Sequence, residues 1–252
     1  MSPGRDEVLR GVRVSGRVGH VMTETAQADV QRLFDSGAHF AQVKSRRHPS
    51  MKRFLVGTKG RQEIIDLVQT IEQLEAAKAA MGAFARDGKT VLFVGGKVEV
   101  SSLVKNAAEK IAQPYVSTRW LGGTISNWAE LKKRVDRLAE LSDKASFEAL
   151  SKQRTKLESL YLERERERLE RRLDGLAGLS KRPDALVIID TKREHHAVKE
   201  AREAGIPIIA IMSSDCDLAE AAYPIVANDA SRTTVGLLLD DLVSAFERGR
   251  AA

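Results

Sequence analysis

Only one of the 252 residues is a cysteine, Cys216. That excludes a disulfide framework and any zinc site built from several thiolates, and it fits a reducing compartment. Aromatic residues make up 5% of the chain and are scattered, so no base-stacking platform of the RNA-recognition-motif kind is present. There is no run of about 18 apolar residues, the length a membrane-spanning helix needs, so no membrane partner is expected. The N-terminus has no apolar stretch like that of a secretory signal. Asp6 and Glu7 interrupt its arginines, which argues against an organellar transit peptide. Nucleotide signatures are missing as well. Val94-Gly95-Gly96-Lys97 and Gly57-Thr58-Lys59-Gly60 match neither G-x-x-x-x-G-K-[ST] nor G-x-G-x-x-G. No His-x₃-His or His-Glu-x-x-His spacing occurs. No cofactor, no metal and no small-molecule substrate are therefore expected.

What is present is an uneven charge. The chain carries 41 Lys+Arg against 35 Asp+Glu, a net of +6. Residues 1–61 hold 12 basic and 5 acidic residues, whereas residues 62–252 hold 29 and 30. The basicity thus belongs to the first quarter, and a basic patch points to a polyanion rather than to a fold. Its densest part is 44–61, with Lys44, Arg46, Arg47, Lys52, Arg53, Lys59 and Arg61 and no acidic residue among them. Pro49 and two glycines break any long helix there, so the segment reads as a basic loop that contacts nucleic acid through phosphates.

The apolar pattern, 42% of the chain, supports a real core. Residues 1–25 lack apolar periodicity and read as a mobile N-terminal arm. A short helix is expected over 26–35 and a longer one over 66–86, where Leu67, Ile71, Leu74 and Met81 step by three and four. Thr90–Val94, Tyr115–Ser117, Ala185–Ile189, Ile206–Met212 and Pro224–Ala227 read as strands. Helices are expected between them at 98–112 and 194–204, with a closing helix at 232–246. Continuous apolar strands alternating with helices predict a parallel α/β sheet with right-handed crossovers.

Residues 125–176 break that rhythm. Trp128, Leu131, Val135 and Leu138 form a seam for one partner helix. Ser142–Ser146 can turn the chain, and a second helix runs to about Asp174. The expectation is an antiparallel α-helical hairpin, a coiled coil, inserted in the core. With 13 basic and 11 acidic residues it is not itself a polyanion magnet. The domain plan is a 1–25 arm, a core of 26–124 and 177–252, and a 125–176 hairpin.

Two constellations could carry chemistry. Asp190 and Asp215 follow strands, where α/β enzymes place catalytic groups, and His195 or His196 lies close in sequence. Against this, Asp190-Thr191 resembles a helix N-cap, and neighbouring histidines on a helix diverge by about 100°. Cys216 sits between two aspartates, an acidic setting that disfavours a nucleophile. No catalytic site is expected. The run Arg119–Trp128 (RWLGGTISNW) is the more unusual one. Trp120 and Trp128 read as anchors of the hairpin base, and Arg119 and Asn127 as contacts to RNA phosphates or loop bases.

Four ordered segments resemble the bacterial-type ribosomal small-subunit protein two (S-two) family. They are Leu33–Phe40 with Arg47–Lys52, then Arg119–Trp128, then Arg182–Asp190 with Ala197–Ile208, and finally Pro224–Arg232. The resemblance covers residues 27–249. It implies a flavodoxin-like three-layer α/β fold with an inserted helical hairpin and no catalytic activity. It also implies binding to small-subunit ribosomal RNA and to neighbouring small-subunit proteins, including the large modular protein one that captures messenger RNA. The place implied is the cytoplasmic ribosome. The RNA-binding set expected from charge and motif position is Lys44, Arg46, Arg47, Lys52, Arg53, Arg119, Asn127 and Arg232. Two segments depart from the family pattern. Ala41-Gln42-Val43 stands where Gly-His-Gln is usual, and Ser213–Leu218 (SSDCDL) stands where Asp-Thr-Asn-Cys-Asp-Pro is usual. A different class of function, an interaction protein docking partners through the hairpin, is the alternative.

Overall fold

The structure, a computed structural model, describes residues 24–143, 147 and 155–251. The expected 1–25 arm lies almost wholly outside them. The chain begins with helix α1, Glu24–Asp35, followed by strands β1 (Phe40–Val43), β2 (Leu55–Lys59) and β3 (Gln62–Ile65). Then come α2 (Leu67–Arg86), β4 (Val91–Val94), α3 (Val98–Lys110) and β5 (Tyr115–Val116). Helices α4 (Trp128–Ser142) and α5 (Lys156–Leu173) follow. The chain closes with β6 (Ala185–Ile189), α6 (His195–Glu203), β7 (Ile208–Met212), β8 (Tyr223–Val226) and α7 (Arg232–Ala251).

Five strands form a wholly parallel sheet in the order β5-β4-β6-β7-β8. Counted within the sheet this is 2-1-3-4-5, the doubly wound order of flavodoxin-like folds. Side-chain alternation explains why its strands are apolar at every position. Val91, Phe93, Val187, Ile189, Ile209 and Ile211 face one core, beneath α1, α2, α3 and α7. Leu92, Val94, Leu186, Ile188, Ile208 and Ala210 face the other, with Trp120, Trp128 and residues of α4 and α6. A strand buried on both faces needs no polar side, and each large apolar side chain so buried contributes about 1.5–3 kcal/mol. Asp66 caps α2, its Oδ1 accepting the Val68 N–H at 3.1 Å.

The 38–61 segment is not a plain loop. β1, β3 and β2 make a small antiparallel sheet, β3 in the middle, with Gly60 at φ +64° turning β2 into β3. β2 escapes a pattern search because it is an edge strand with Val56, Gly57, Thr58 and Lys59 all exposed. It therefore lacks the apolar alternation of a half-buried strand.

Helices α4 and α5 pack together beside the core. Trp128, Leu131, Val135, Leu138 and Leu141 are buried on α4, and Leu162 and Leu173 on α5. Arg137 Nη2 reaches Glu165 Oε2 at 3.6 Å. The expected turn at 142–146 and the start of the second helix fall largely on residues 144–146 and 148–154, outside the described residues.

Two local expectations fail. Asp190 does not cap α6. It sits at φ +65° and its Oδ1 accepts the Arg193 N–H at 3.1 Å, capping a turn before the helix starts at His195. Nor do the two histidines diverge, since their rings lie 4.0 Å apart at 40°. At the first turn no preceding helical residue crowds the rings, so side chains can fold back over one another.

Candidate nucleic-acid interface

The basic segment is shaped by two turns of 3₁₀ helix, Lys44–Arg46 and Pro49–Phe54. Such a helix has three residues per turn, so Met51 and Phe54 lie on one side. Both are buried in the core that also holds Trp120, Ile125 and Trp128. That fixes Lys52 and Arg53 on the outward side, where both are exposed. Lys44 and Arg46 are exposed too, and none of the four has an ion pair with a described residue. The Arg53 guanidinium lies 4.8 Å over the Phe54 ring centroid, which holds it against the surface. Arg47 differs. Its Nη1 reaches Glu63 Oε1 at 2.8 Å, and Glu63 is 2% exposed with Oε2 buried and unpartnered among the described residues.

The far half of the chain anchors this segment. Ser214 Oγ accepts the Gln42 N–H at 3.2 Å, and Ser214 O accepts the His48 N–H at 2.8 Å. Ser50 Oγ accepts the Leu218 N–H at 3.3 Å, and His48 Nδ1 lies 3.7 Å from Asp217. The two stretches that depart from the family pattern, 41–43 and 213–218, thus meet each other.

The Arg119–Asn127 loop joins β5 to α4 over the same core. Trp120 and Trp128 are 5% and 7% exposed. Trp128 Nε1 donates to Ser180 O at 3.4 Å. Arg119 and Asn127 are exposed at the two ends of the loop. Asn127 occupies the N-cap position of α4 but makes no side-chain cap, which leaves its amide uncommitted to the helix. The loop closes on Glu200 of α6. Glu200 Oε1 accepts Trp120 Nε1 at 3.1 Å and Gly123 N at 2.8 Å. Its Oε2 accepts Ile125 N at 3.0 Å, Ser126 N at 3.2 Å and Ser126 Oγ at 3.3 Å. Burial by itself raises this carboxyl, but the N–H groups of Ile125, Gly123, Trp120 and Ser126 outweigh it and hold the group below the usual range.

Arg232 lies on the other layer. It opens α7, is exposed, and its Nη2 donates to Ser102 Oγ at 3.3 Å. The core thus brings the 44–54 segment and the 119–127 loop onto one face and places Arg232 behind them. Sequence reasoning missed Glu200, because a lone glutamate on an amphipathic helix carries no local signal of five converging donors.

The carboxyl ends of the parallel strands hold a separate charged cluster. Lys97 Nζ pairs with Asp190 Oδ2 at 2.7 Å and Asp229 Oδ2 at 3.0 Å, and Lys192 with Asp215 at 3.1 Å. Cys216 is buried, and burial pushes its thiol up to about 12, so it is no nucleophile near neutral pH. Asp190 is committed to Lys97, to the Arg193 N–H and to the Cys216 thiol at 3.8 Å. Among the described residues no group of three or more His, Cys, Asp or Glu is arranged to hold a metal ion. No helix among them is long and apolar enough to cross a membrane.

The sequence also matches known proteins. A family profile described as ribosomal protein S2 matches residues 33–249. A small ribosomal subunit protein uS2 from Corynebacterium urealyticum is 40% identical over 227 residues, covering 90% of this chain and 84% of the relative. The protein of that name from Kocuria rhizophila is 40% identical over 220 residues, 87% and 77% of the two chains. The one from Salinispora arenicola is 38% identical over 227 residues, 90% and 81%.

Proposed function

The chain belongs to the ribosomal protein S2 family, and on that footing we propose that it is a structural constituent of the small ribosomal subunit. The single observation carrying this is 40% identity over nine tenths of the chain to a relative named as a small-subunit protein. It acts in translation by binding small-subunit rRNA and neighbouring proteins, on the cytoplasmic ribosome. No catalytic step is assigned to it, a reading supported by the commitment of Asp190 to Lys97.

The RNA grip consists of Lys44, Arg46, Lys52 and Arg53 on phosphates, with Arg119 and Asn127 on the same face and Arg232 behind. Arg47 contributes to it mainly by holding the turn through Glu63. The chain divides into the 26–124 and 177–252 core and an inserted 125–176 hairpin. Burial of Leu138 on α4 and Leu162 on α5, with the Arg137–Glu165 pair between the two helices, supports an antiparallel coiled coil there. Trp120 and Trp128 anchor its base. That near-neutral arm suits protein neighbours, among them the large mRNA-capturing protein one, better than phosphates.

The test is binding of the full chain to folded small-subunit rRNA across a salt series. Changing Lys44, Arg46, Lys52 and Arg53 to Gln should lower the slope of log K against log salt by about 3–4, at roughly 0.9 per phosphate contact. An unchanged slope refutes the grip.

A further inference from the structure

We infer that Glu200 is the positioning residue that holds Arg119 and Asn127 in their RNA-binding geometry, an inference that rests on the RNA reading of that loop. The outermost hydrogen bonds to its carboxylate come from Trp120 and Ser126. Those two residues are the immediate neighbours of Arg119 and Asn127. One carboxylate therefore clamps both ends of the loop just inside the two exposed side chains. Between the ends it also takes the N–H groups of Gly123 and Ile125. Buried Trp120, Thr124 and Ile125 seat the middle of the loop, and Thr124 Oγ1 donates to Leu121 O at 2.6 Å, but among the described residues only Glu200 bonds to both ends. The loop's own backbone bonds are Thr124 N to Leu121 O at 3.2 Å and Asn127 N to Gly123 O at 2.9 Å. Gly123 stands at φ +92°, a conformation other residues rarely adopt, so this fold of the loop is specific. Glu200 is carried by α6, whose Ala197, Val198 and Ala201 are buried against the sheet, so the clamp is tied to the rigid core.

The inference predicts an effect opposite in sign to simple electrostatics. Glu200 is a negative charge beside a surface that is to meet phosphate. Charge alone says that removing it tightens RNA binding. Positioning says the reverse, because a glutamine offers one acceptor oxygen and an NH₂ group where the carboxylate faces only donors.

The experiment measures affinity of the full chain for a folded transcript of small-subunit rRNA, at a temperature where near-UV circular dichroism shows every variant folded. Glu200→Gln is expected to weaken binding about 10-fold, the scale of one charge-assisted hydrogen bond. In the Arg119→Ala/Asn127→Ala background the same change is expected to weaken it less than about 2-fold, since nothing remains to position. Should Glu200→Gln not fold, Ser126→Ala removes one donor and is expected to show the same dependence on background at about 2–3-fold. Tighter binding by Glu200→Gln, or equal weakening in both backgrounds, overturns the inference. A loss with Arg119→Ala/Asn127→Ala and none with Glu200→Gln overturns it alone and leaves the RNA reading standing. Wild-type affinity in Arg119→Ala/Asn127→Ala overturns the RNA role of the loop, and the inference with it.

Discussion

Two neighbouring arginines, Arg46 and Arg47, look interchangeable in the sequence and are not. Arg46 is exposed, whereas Arg47 neutralises Glu63, which is 2% exposed. Removing one partner of a buried pair leaves an uncompensated charge. Arg47→Ala should therefore lower unfolding free energy by about 3 kcal/mol, against less than about 0.5 for Arg46→Ala. Urea unfolding of both variants checks this, and equal losses would count against it. Asp229 gives a pH test. Burial pushes its carboxyl up to about 6 despite Lys97, with Asp190 and Asp215 adding to the rise. A folded-state value above the unfolded one, about 4, means the folded chain holds the proton longer. The contribution of Asp229 is thus greatest below pH 4 and is lost as pH rises through 6. Relative to Asp229→Asn, wild-type stability should fall by on the order of 2 kcal/mol between pH 4 and pH 6 and stay level above. A constant difference across that range would contradict it. Residue chemistry of this kind was the least legible part of the sequence. The cations at 44–53 could be counted, but Glu63, which pairs with Arg47, and Glu200, which closes the 119–127 loop, gave no sign until distant segments were brought together.

At the scale of elements, α2 and α7 cross where Gly82 meets Gly249. A Cβ on Gly249 would lie 2.4 Å from Gly82 O and 2.7 Å from Gly82 Cα. That is backbone against backbone, so no side chain can move aside. Gly249→Ala should cost about 1–3 kcal/mol by forcing the helices apart. Gly236, on the same helix, would place its Cβ no nearer than 3.8 Å to Leu103. Gly236→Ala should be neutral or stabilise by up to about 1 kcal/mol through helix propensity. Thermal melts should show a lowered midpoint for Gly249→Ala and an unchanged or raised one for Gly236→Ala, and a matching fall in both would sink the close-crossing account. Helices and central strands were readable because their periods of 3.6 and their continuous apolar runs are local signals. Right-handed crossovers reduce the possible topologies, but the order 2-1-3-4-5 is set by which strands pair in the folded sheet. The small β1-β3-β2 sheet was not readable, since exposed β2 owes its structure to β3 rather than to its own composition.

For the whole molecule, charge and packing are laid out on different principles. The sheet is apolar on both faces, the strand ends hold Lys97 between Asp190 and Asp229, and on the 44–54 segment Lys44, Arg46, Lys52 and Arg53 are exposed with no ion pair to a described residue. Attachment to the subunit should accordingly be salt-labile. In sucrose gradients at stepwise higher KCl, the Lys44/Arg46/Lys52/Arg53→Gln chain should leave small subunits at lower salt than the wild type. Release at the same step would show that the grip lies elsewhere.

The bond from Leu218 to Ser50 spans 168 residues. A chain grows from its N-terminus at about 5–20 residues per second, so about 8–34 seconds separate the synthesis of those two partners. Ser214 arrives nearly as late for Gln42 and His48. During that interval the most cationic stretch exists without the groups that shape it, inside a cell crowded with polyanions. The first surface to be made is among the last to be finished, because Ser214 and Leu218 lie in the last sixth of the chain.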